Sequence, residues 1–242
     1  MFLKAGSYLI DPPIIYMSKG KHTERKSGWK WAFIIFVVSF IIIFSYSIIR
    51  YNVLKGVPID QIPLFIFNKA ISLTSVIVIG MSFIIGPFAR FWPKTFVPKL
   101  YLRKYLGVLG FGIAALHGII SLLIFNPAYY PRFFTEVGKL TFSGELSMLF
   151  GILSIFIFSS VSVTSLPSIE KDMHPKQWKF VQRLGYLAFI LVLLHVTVMG
   201  WGGWLNPSGW PGGLLPISLI GALVIIFVLI LRAVAIAFPK RV

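Results

Sequence analysis

Six apolar runs, each long enough to cross a bilayer, constrain this chain more than any other feature. They extend approximately from Trp31 to Ile49, Ile71 to Phe88, Leu102 to Phe125, Leu146 to Leu166, Trp178 to Gly200 and Leu214 to Phe238. At 1.5 Å per helical residue, such runs cover the ~30 Å of hydrocarbon. Backbone polar groups in lipid must be satisfied within the segment, so the runs predict helices. The expected fold is an all-α integral membrane protein, a six-transmembrane-helix bundle. The composition agrees: 57% of residues are hydrophobic and 12% charged, where a soluble domain carries roughly one quarter charged residues. Residues 1–30 read as a basic tail holding Lys4, Lys19, Lys21, Arg25, Lys26 and Lys30, and residues 31–242 as the membrane domain. The first run lacks a small-residue cleavage site, which favours a retained anchor over a signal peptide.

Charge placement sets the orientation. The tail, the Arg90–Lys104 connection, the Lys171–Arg183 connection and the Lys240, Arg241 end are basic, whereas the Trp201–Gly213 loop has no charge. By the positive-inside rule both termini are cytoplasmic, and the third and fifth spans run outward. Trp201, Trp204 and Trp210 then lie at the outer interface, where indole rings commonly settle. The formal net charge of +16 therefore serves topology and contact with anionic membrane lipid, and no nucleic-acid partner is expected. The absence of cysteine excludes disulfides, iron–sulfur clusters and thiolate metal sites, leaving histidine and carboxylates as ligands.

Of the four histidines, His22 falls in the tail and His174 beside Pro175 in an inner connection, both as solvated residues. His117 and His195 sit within apolar spans, where an ionisable side chain is costly and faces the bundle interior. They lie ~22 Å and ~27 Å along their helices, at similar depths in the outer half. Each belongs to a stripe at helical spacing: Gly107, Gly110, Ala114, His117 and Ser121 on the third span, and Gln182, Gly185, Ala188, Val192 and His195 on the fifth. Gly144, Ser147, Gly151 and Ser154 repeat the pattern on the fourth. Such stripes allow close helix packing, and they equally leave room for a flat macrocycle held between two imidazoles. Proton or solute paths normally add intramembrane carboxylates, whereas Asp60 and Glu145 lie near span ends.

The segments Leu102–His117 and Trp178–His195 resemble the haem-bearing third and fifth helices of the ferric reductase-like transmembrane family, over about residues 70–238. The nearest branch is identified as the haem-binding membrane subunit of the bacterial periplasmic methionine sulfoxide reductase system. The STEAP metalloreductases and the NADPH oxidase membrane domains are more distant. The resemblance implies a plasma (inner) membrane protein carrying b-type haem and passing electrons from a cytoplasmic donor to the outer face. His117 and His195 match the outer haem ligands, with Gly110, Ala114, Gly185 and Ala188 as haem-facing small residues. Where many relatives place an inner histidine, this chain has Gln182, and the third helix offers Arg103 and Lys104. One haem b in the outer half is therefore expected. The thirteen residues from Gln182 to His195 leave ~20 Å to cross. A flavin (FMN or FAD) at the inner face would fill that gap. Arg103, Lys104 and Arg183, with Lys179, are candidates for its phosphate or for haem propionates, although the positive-inside rule explains them without a ligand.

Gly110-Phe-Gly112-Ile-Ala-Ala115 fits a dinucleotide fingerprint in letters only, since it lies inside an apolar span with no preceding strand. No nicotinamide or flavin domain is recognisable, so the donor is expected to be a separate cytoplasmic flavin reductase or a quinol. The acceptor would be an outer-face oxidoreductase partner, such as a methionine sulfoxide reductase, or ferric iron. The alternative is a haem-free small-solute transporter or membrane assembly protein whose histidines are polar helix glue.

Overall fold

The computed structural model describes residues 20–238, with side chains from residue 27 onward. Most of the basic tail, His22 and the Lys240, Arg241 end lie outside the described side chains. Six helices are long and apolar enough to span a membrane: Ser27–Val53, Ile59–Phe91, Leu102–Ile124, Phe142–Val163, Pro175–Trp204 and Pro211–Ala237.

The helices are α1 (Gly20–Ser47), α2 (Phe67–Phe91), the short α3 (Pro93–Phe96), α4 (Leu102–Ile124), α5 (Phe142–Val163), the short α6 (Pro167–Glu170), α7 (Pro175–Trp204) and α8 (Ile217–Ala237). The span containing α2 is 67% buried in its apolar window, against 17% to 33% for the others, which makes it the central helix. It packs against α1, α4 and α8, while α5 pairs with α7. Small side chains allow this closeness. A Cβ at Gly110 would stand 2.6 Å from Ile79 Cγ1 on α2, and one at Gly185 would stand 2.9 Å from the Phe83 ring. Buried hydroxyls of α2 find partners within the helix, as where Thr74 donates to the Ala70 carbonyl at 2.8 Å, or on α4, where Ser82 donates to the Arg103 carbonyl. Phe33, Ile41, Ile42, Phe156 and Ile230 point outward, as a lipid-solvated bundle requires.

Side-chain contacts show which helix ends lie together. Arg90 donates to the Phe238 carbonyl and Trp29 packs edge-on against Tyr105, so the ends of α2 and α8 and the starts of α1 and α4 share one basic end. At the other end Tyr46 and Arg50 both donate to the Leu215 carbonyl, at 2.7 and 2.9 Å. This end carries the tryptophan-rich loop: Trp204 Nε1 donates to Ser218 Oγ at 3.0 Å and Trp210 Nε1 to the Gly203 carbonyl at 2.8 Å.

Two spans extend past their apolar runs through π-helical turns. α1 continues as a π-helical turn, Ile48–Val53, that buries Arg50 and Tyr51, and Ile62–Ile66 forms a second π turn leading into α2. The second span thus starts at Ile59, twelve residues before the apolar run. Asn68 and Lys69 thereby fall inside the span.

Candidate functional site

His117 and His195 line one cavity of about 740 Å³ at the tryptophan-rich half of the bundle. That lies within the roughly 300–1,000 Å³ usual for small-molecule and cofactor sites. Val76, Ile79, Phe111, Phe158 and Val192 form much of its apolar wall.

Hydrogen bonds fix both imidazoles in the same tautomer. His195 Nδ1 is 2.9 Å from the Ser147 carbonyl oxygen and 3.1 Å from the Ser147 hydroxyl. A carbonyl only accepts, so Nδ1 carries the proton and Nε2 keeps its lone pair. His117 Nδ1 is 2.9 Å from Asn68 Oδ1, while Asn68 Nδ2 donates to Ser121 Oγ at 2.9 Å. In this arrangement the amide oxygen faces His117 Nδ1, which donates to it. Asn68 is 1% exposed, and a buried amide with both ends engaged is a rigid support. Two imidazoles that donate through Nδ1 and offer Nε2 have the second-shell arrangement of metal-ligating histidines. Among the described residues no three His, Asp or Glu side chains converge on a metal-sized site. The pair therefore suits a group that brings its own equatorial ligands and needs two axial ones. A flat macrocycle also needs a wall without bulk at each ligand. Gly118 and Gly151 line the cavity, and a Cβ at Gly151 would meet His195 Nδ1 at 3.2 Å.

The small-residue stripes divide between two tasks. Ala114 lines the cavity, whereas Gly110 closes against Ile79, Gly185 against Phe83, and Ala188 is fully buried in the aromatic core beneath. These three serve helix packing and do not wall the cavity. That core holds Phe83, Phe158 and Phe189, with Tyr186 stacked on Phe83 at 4.6 Å. It fills the bundle between the cavity and the basic end. Gln182 Nε2 donates to the Val161 carbonyl at 3.2 Å and to Ser165 Oγ at 3.0 Å, tying α7 to the end of α5.

The basic residues singled out at that end have separate partners. Arg103, on α4, packs against α2, with Nε donating to the Ser82 carbonyl at 3.2 Å and its own carbonyl accepting from Ser82 Oγ at 2.6 Å. Lys104 pairs with Glu170. Arg183 is exposed. His174 caps α7, where its Nδ1 accepts from the Lys176 N–H at 3.3 Å.

Sequence reasoning missed Asn68 and, beside it, a basic mouth to the cavity. Lys69 stands over the rings of Phe65, Tyr51 and Tyr130 at 4.4, 5.2 and 5.6 Å. Arg132 donates to the Val198 and Met199 carbonyls at 2.9 and 2.5 Å, fastening the 125–141 connection to the helix that bears His195. Burial pushes the Arg132 guanidinium below its ordinary pKa and raises the Tyr130 phenol above its own. The available signal was the polar pair Asn68-Lys69 directly before an apolar run.

Residues 69–193, just over half of the chain, match the family described as "Ferric reductase like transmembrane component". The match contains His117 and ends two residues before His195. The chain is 28% identical over 171 residues to metalloreductase STEAP2 of Mus musculus, covering 58% of this chain and 34% of that protein. The Homo sapiens protein of the same name matches to the same extent. Metalloreductase STEAP3 of Rattus norvegicus is 22% identical over 205 residues, covering 72% of this chain and 42% of that protein. The chain thus spans less than half the length of these relatives. By its extent over the membrane bundle, the match shows that the chain belongs to the family of ferric reductase-like transmembrane components.

Proposed function

We propose that this chain is a b-type cytochrome subunit of the plasma membrane that relays electrons between the two faces of the bilayer. The observation carrying the reading is the pair of Nδ1-protonated imidazoles on one apolar cavity. His117 and His195 would hold a single haem b through their Nε2 atoms, and the bound group would supply reversible one-electron chemistry. Held by both histidines, that group would favour electron transfer over oxygen chemistry.

The rest of the chain positions and insulates that group. Asn68, Ser121 and Ser147 hold the rings, the apolar wall excludes water, and Arg132 ties the outer connection to α7. The aromatic filling around Phe83 and Phe189, with Gln182 engaged by α5, supports one haem rather than two. Electrons would enter at the basic end, taken as cytoplasmic from the charge pattern, from a separate flavin reductase or a quinol. Arg183 is the residue there left to meet a flavin phosphate. The acceptor would lie at the tryptophan-rich outer face. Kinship to proteins named metalloreductases supports a metal ion such as ferric iron. The resemblance of Leu102–His117 and Trp178–His195 to the methionine sulfoxide reductase membrane subunit supports a partner oxidoreductase.

The test is a dithionite-reduced minus oxidised spectrum of detergent-purified protein, with pyridine haemochrome quantification. A b-type spectrum at about one haem per chain is expected. Reproducible absence of haem after expression with ample haem would overturn the reading in favour of a transporter or assembly protein.

A further inference from the structure

The hydrogen bonds that support the imidazoles divide the helices around the cavity into two pairs. Asn68 of α2 engages His117 and Ser121 of α4, and Ser82 of α2 donates to the Arg103 carbonyl. In the other pair, His195 of α7 donates to the Ser147 carbonyl of α5, Gln182 to the Val161 carbonyl, and Trp178 Nε1 to the Thr164 carbonyl at 3.1 Å. α8 joins the two pairs by packing against both α2 and α7. Among the described residues, no hydrogen bond or ion pair joins the 111–122 stretch of α4 to α5. Lipid tails are as apolar as a leucine contact, so apolar packing alone gives helices in a bilayer little preference for each other over lipid. The α4–α5 seam is therefore the cheapest place in this wall to part.

The cavity reaches the surface along that seam. Ile119 and Leu122 of α4 and Ile152 and Phe156 of α5 line it, yet each is between 44% and 69% exposed. A side chain that both walls a cavity and stands open at the lipid face marks an opening between the two. A Cβ at Gly118 would stand 2.7 Å from Ile155 Cδ1, so at that level Ile155 reaches across to a residue without a side chain. In the antiparallel register set by this contact, Ile119 and Phe156 fall beside it, and Leu122 and Ile152 about one turn nearer the tryptophan-rich end. Gly118 itself lies about 9 Å from the end of α4, well inside the hydrocarbon.

The aqueous approach to the same cavity is fastened. The 125–141 connection contributes to its lining there, held by Arg132 to the Val198 and Met199 carbonyls and by the Tyr129 and Tyr130 rings against Phe65. A flat, largely apolar macrocycle also dissolves in lipid more readily than in water. We propose that the macrocycle reaches the imidazoles sideways from the bilayer, between α4 and α5, with Ile155 against Gly118 as the gate. The inference rests on the haem reading of the proposed function and adds the route to it. A gate changes the rates of uptake and release by the same factor and leaves the affinity alone, whereas a wall that merely touches the ligand changes the affinity.

The experiment uses the full chain, prepared without haem and reconstituted in phospholipid vesicles. Haemin dissolved in the same lipid is added, and the growth of Soret absorbance gives the uptake rate. Transfer from the loaded protein to excess apomyoglobin gives the release rate. The native chain has no cysteine, so Gly118→Cys/Ile155→Cys places a unique thiol pair across the seam, and the loss of Ile155 makes room for the new Cβ. A short bis-methanethiosulfonate reagent bridges the pair, and a reductant releases it. Ile155→Ala is measured alongside, and far-ultraviolet circular dichroism checks that the helices remain.

Bridging is expected to slow uptake at least roughly tenfold, with recovery on reduction. Bridging after loading should leave the bound spectrum unchanged and slow release to the same extent. Ile155→Ala is expected to speed uptake and release together, at least roughly threefold, with Kd unchanged. Uptake at equal rates in bridged and reduced protein overturns the portal and leaves the haem reading intact. So does an Ile155→Ala protein whose rates match wild type or whose affinity alone has changed. Failure of the wild type to take up haem overturns both. Where the thiol pair does not bridge or its variant does not fold, the two rates of Ile155→Ala decide the question by the same criterion.

Discussion

On the proposed function, replacing Asn68 by Leu should loosen haem binding while leaving His117 and His195 in place. The side chain is 1% exposed, so leucine of similar size fills the space without opening a route to water. Two hydrogen bonds disappear, each 2.9 Å long in the native protein, from His117 Nδ1 to Oδ1 and from Nδ2 to Ser121 Oγ. A buried donor left without a partner costs about 1–3 kcal/mol, or roughly 5- to 150-fold in affinity. Ser121 Oγ already stands 3.4 Å from His117 Nδ1 and can turn to accept from it. That rescue places the expected loss near the lower end, roughly tenfold, in line with other second-shell substitutions at metal sites. A weaker hydrogen bond at Nδ1 also makes the imidazole a poorer donor to ferric iron. If about 1 kcal/mol of that bond favours the ferric form, the midpoint potential rises by about 40 mV. Asn68→Asp keeps an acceptor and should move the potential the other way. The assays are haem titration of purified apoprotein and optical redox potentiometry. Unchanged affinity and unchanged potential in Asn68→Leu would refute the assignment of Asn68 as the support of an axial ligand.

Three further outcomes follow from the same geometry. His117→Ala or His195→Ala should each abolish or greatly weaken haem binding, measured as haem per chain, while His174→Ala, at a helix cap, leaves it intact. Gly110→Ala places a methyl 2.6 Å from Ile79 Cγ1 and 3.1 Å from the Ile79 backbone nitrogen; overpacking of about 1–3 kcal/mol should lower the detergent melting temperature without altering the haem spectrum. Gln182→His should still give one haem per chain by pyridine haemochrome, because Gln182 faces α5, where it donates to the Val161 carbonyl and Ser165 Oγ; two haems per chain would refute that reading.

The six spans and the two histidines were legible because each rests on a strong, local signal: length in hydrocarbon for the first, polarity inside an apolar run for the second. The small-residue stripes were legible as stripes but not as surfaces. Gly110 and Ala114 share a helix face, yet Gly110 closes against Ile79 and Ala114 lines the cavity. Only the packing of α2 separates them. Arg50, Asn68 and Lys69 escaped for a different reason. A hydropathy window ends where polar residues begin, so Arg50 and Asn68-Lys69 fell just beyond Ile49 and before Ile71. In the structure π turns carry both helices past those limits and turn these residues inward. The partners of the basic residues near Arg103 were not legible either, since Arg103 engages the Ser82 backbone and Lys104 pairs with Glu170.

The division of the cavity among the helices bears on biogenesis. His117 stands on α4, His195 on α7, and the supports of the two rings come from α2 and α5. A nascent chain leaving the translocon therefore has no complete site until its fifth span is integrated. On the proposed function, loading of the cofactor would wait for α7, and a chain truncated before that helix would lack one of the two imidazoles.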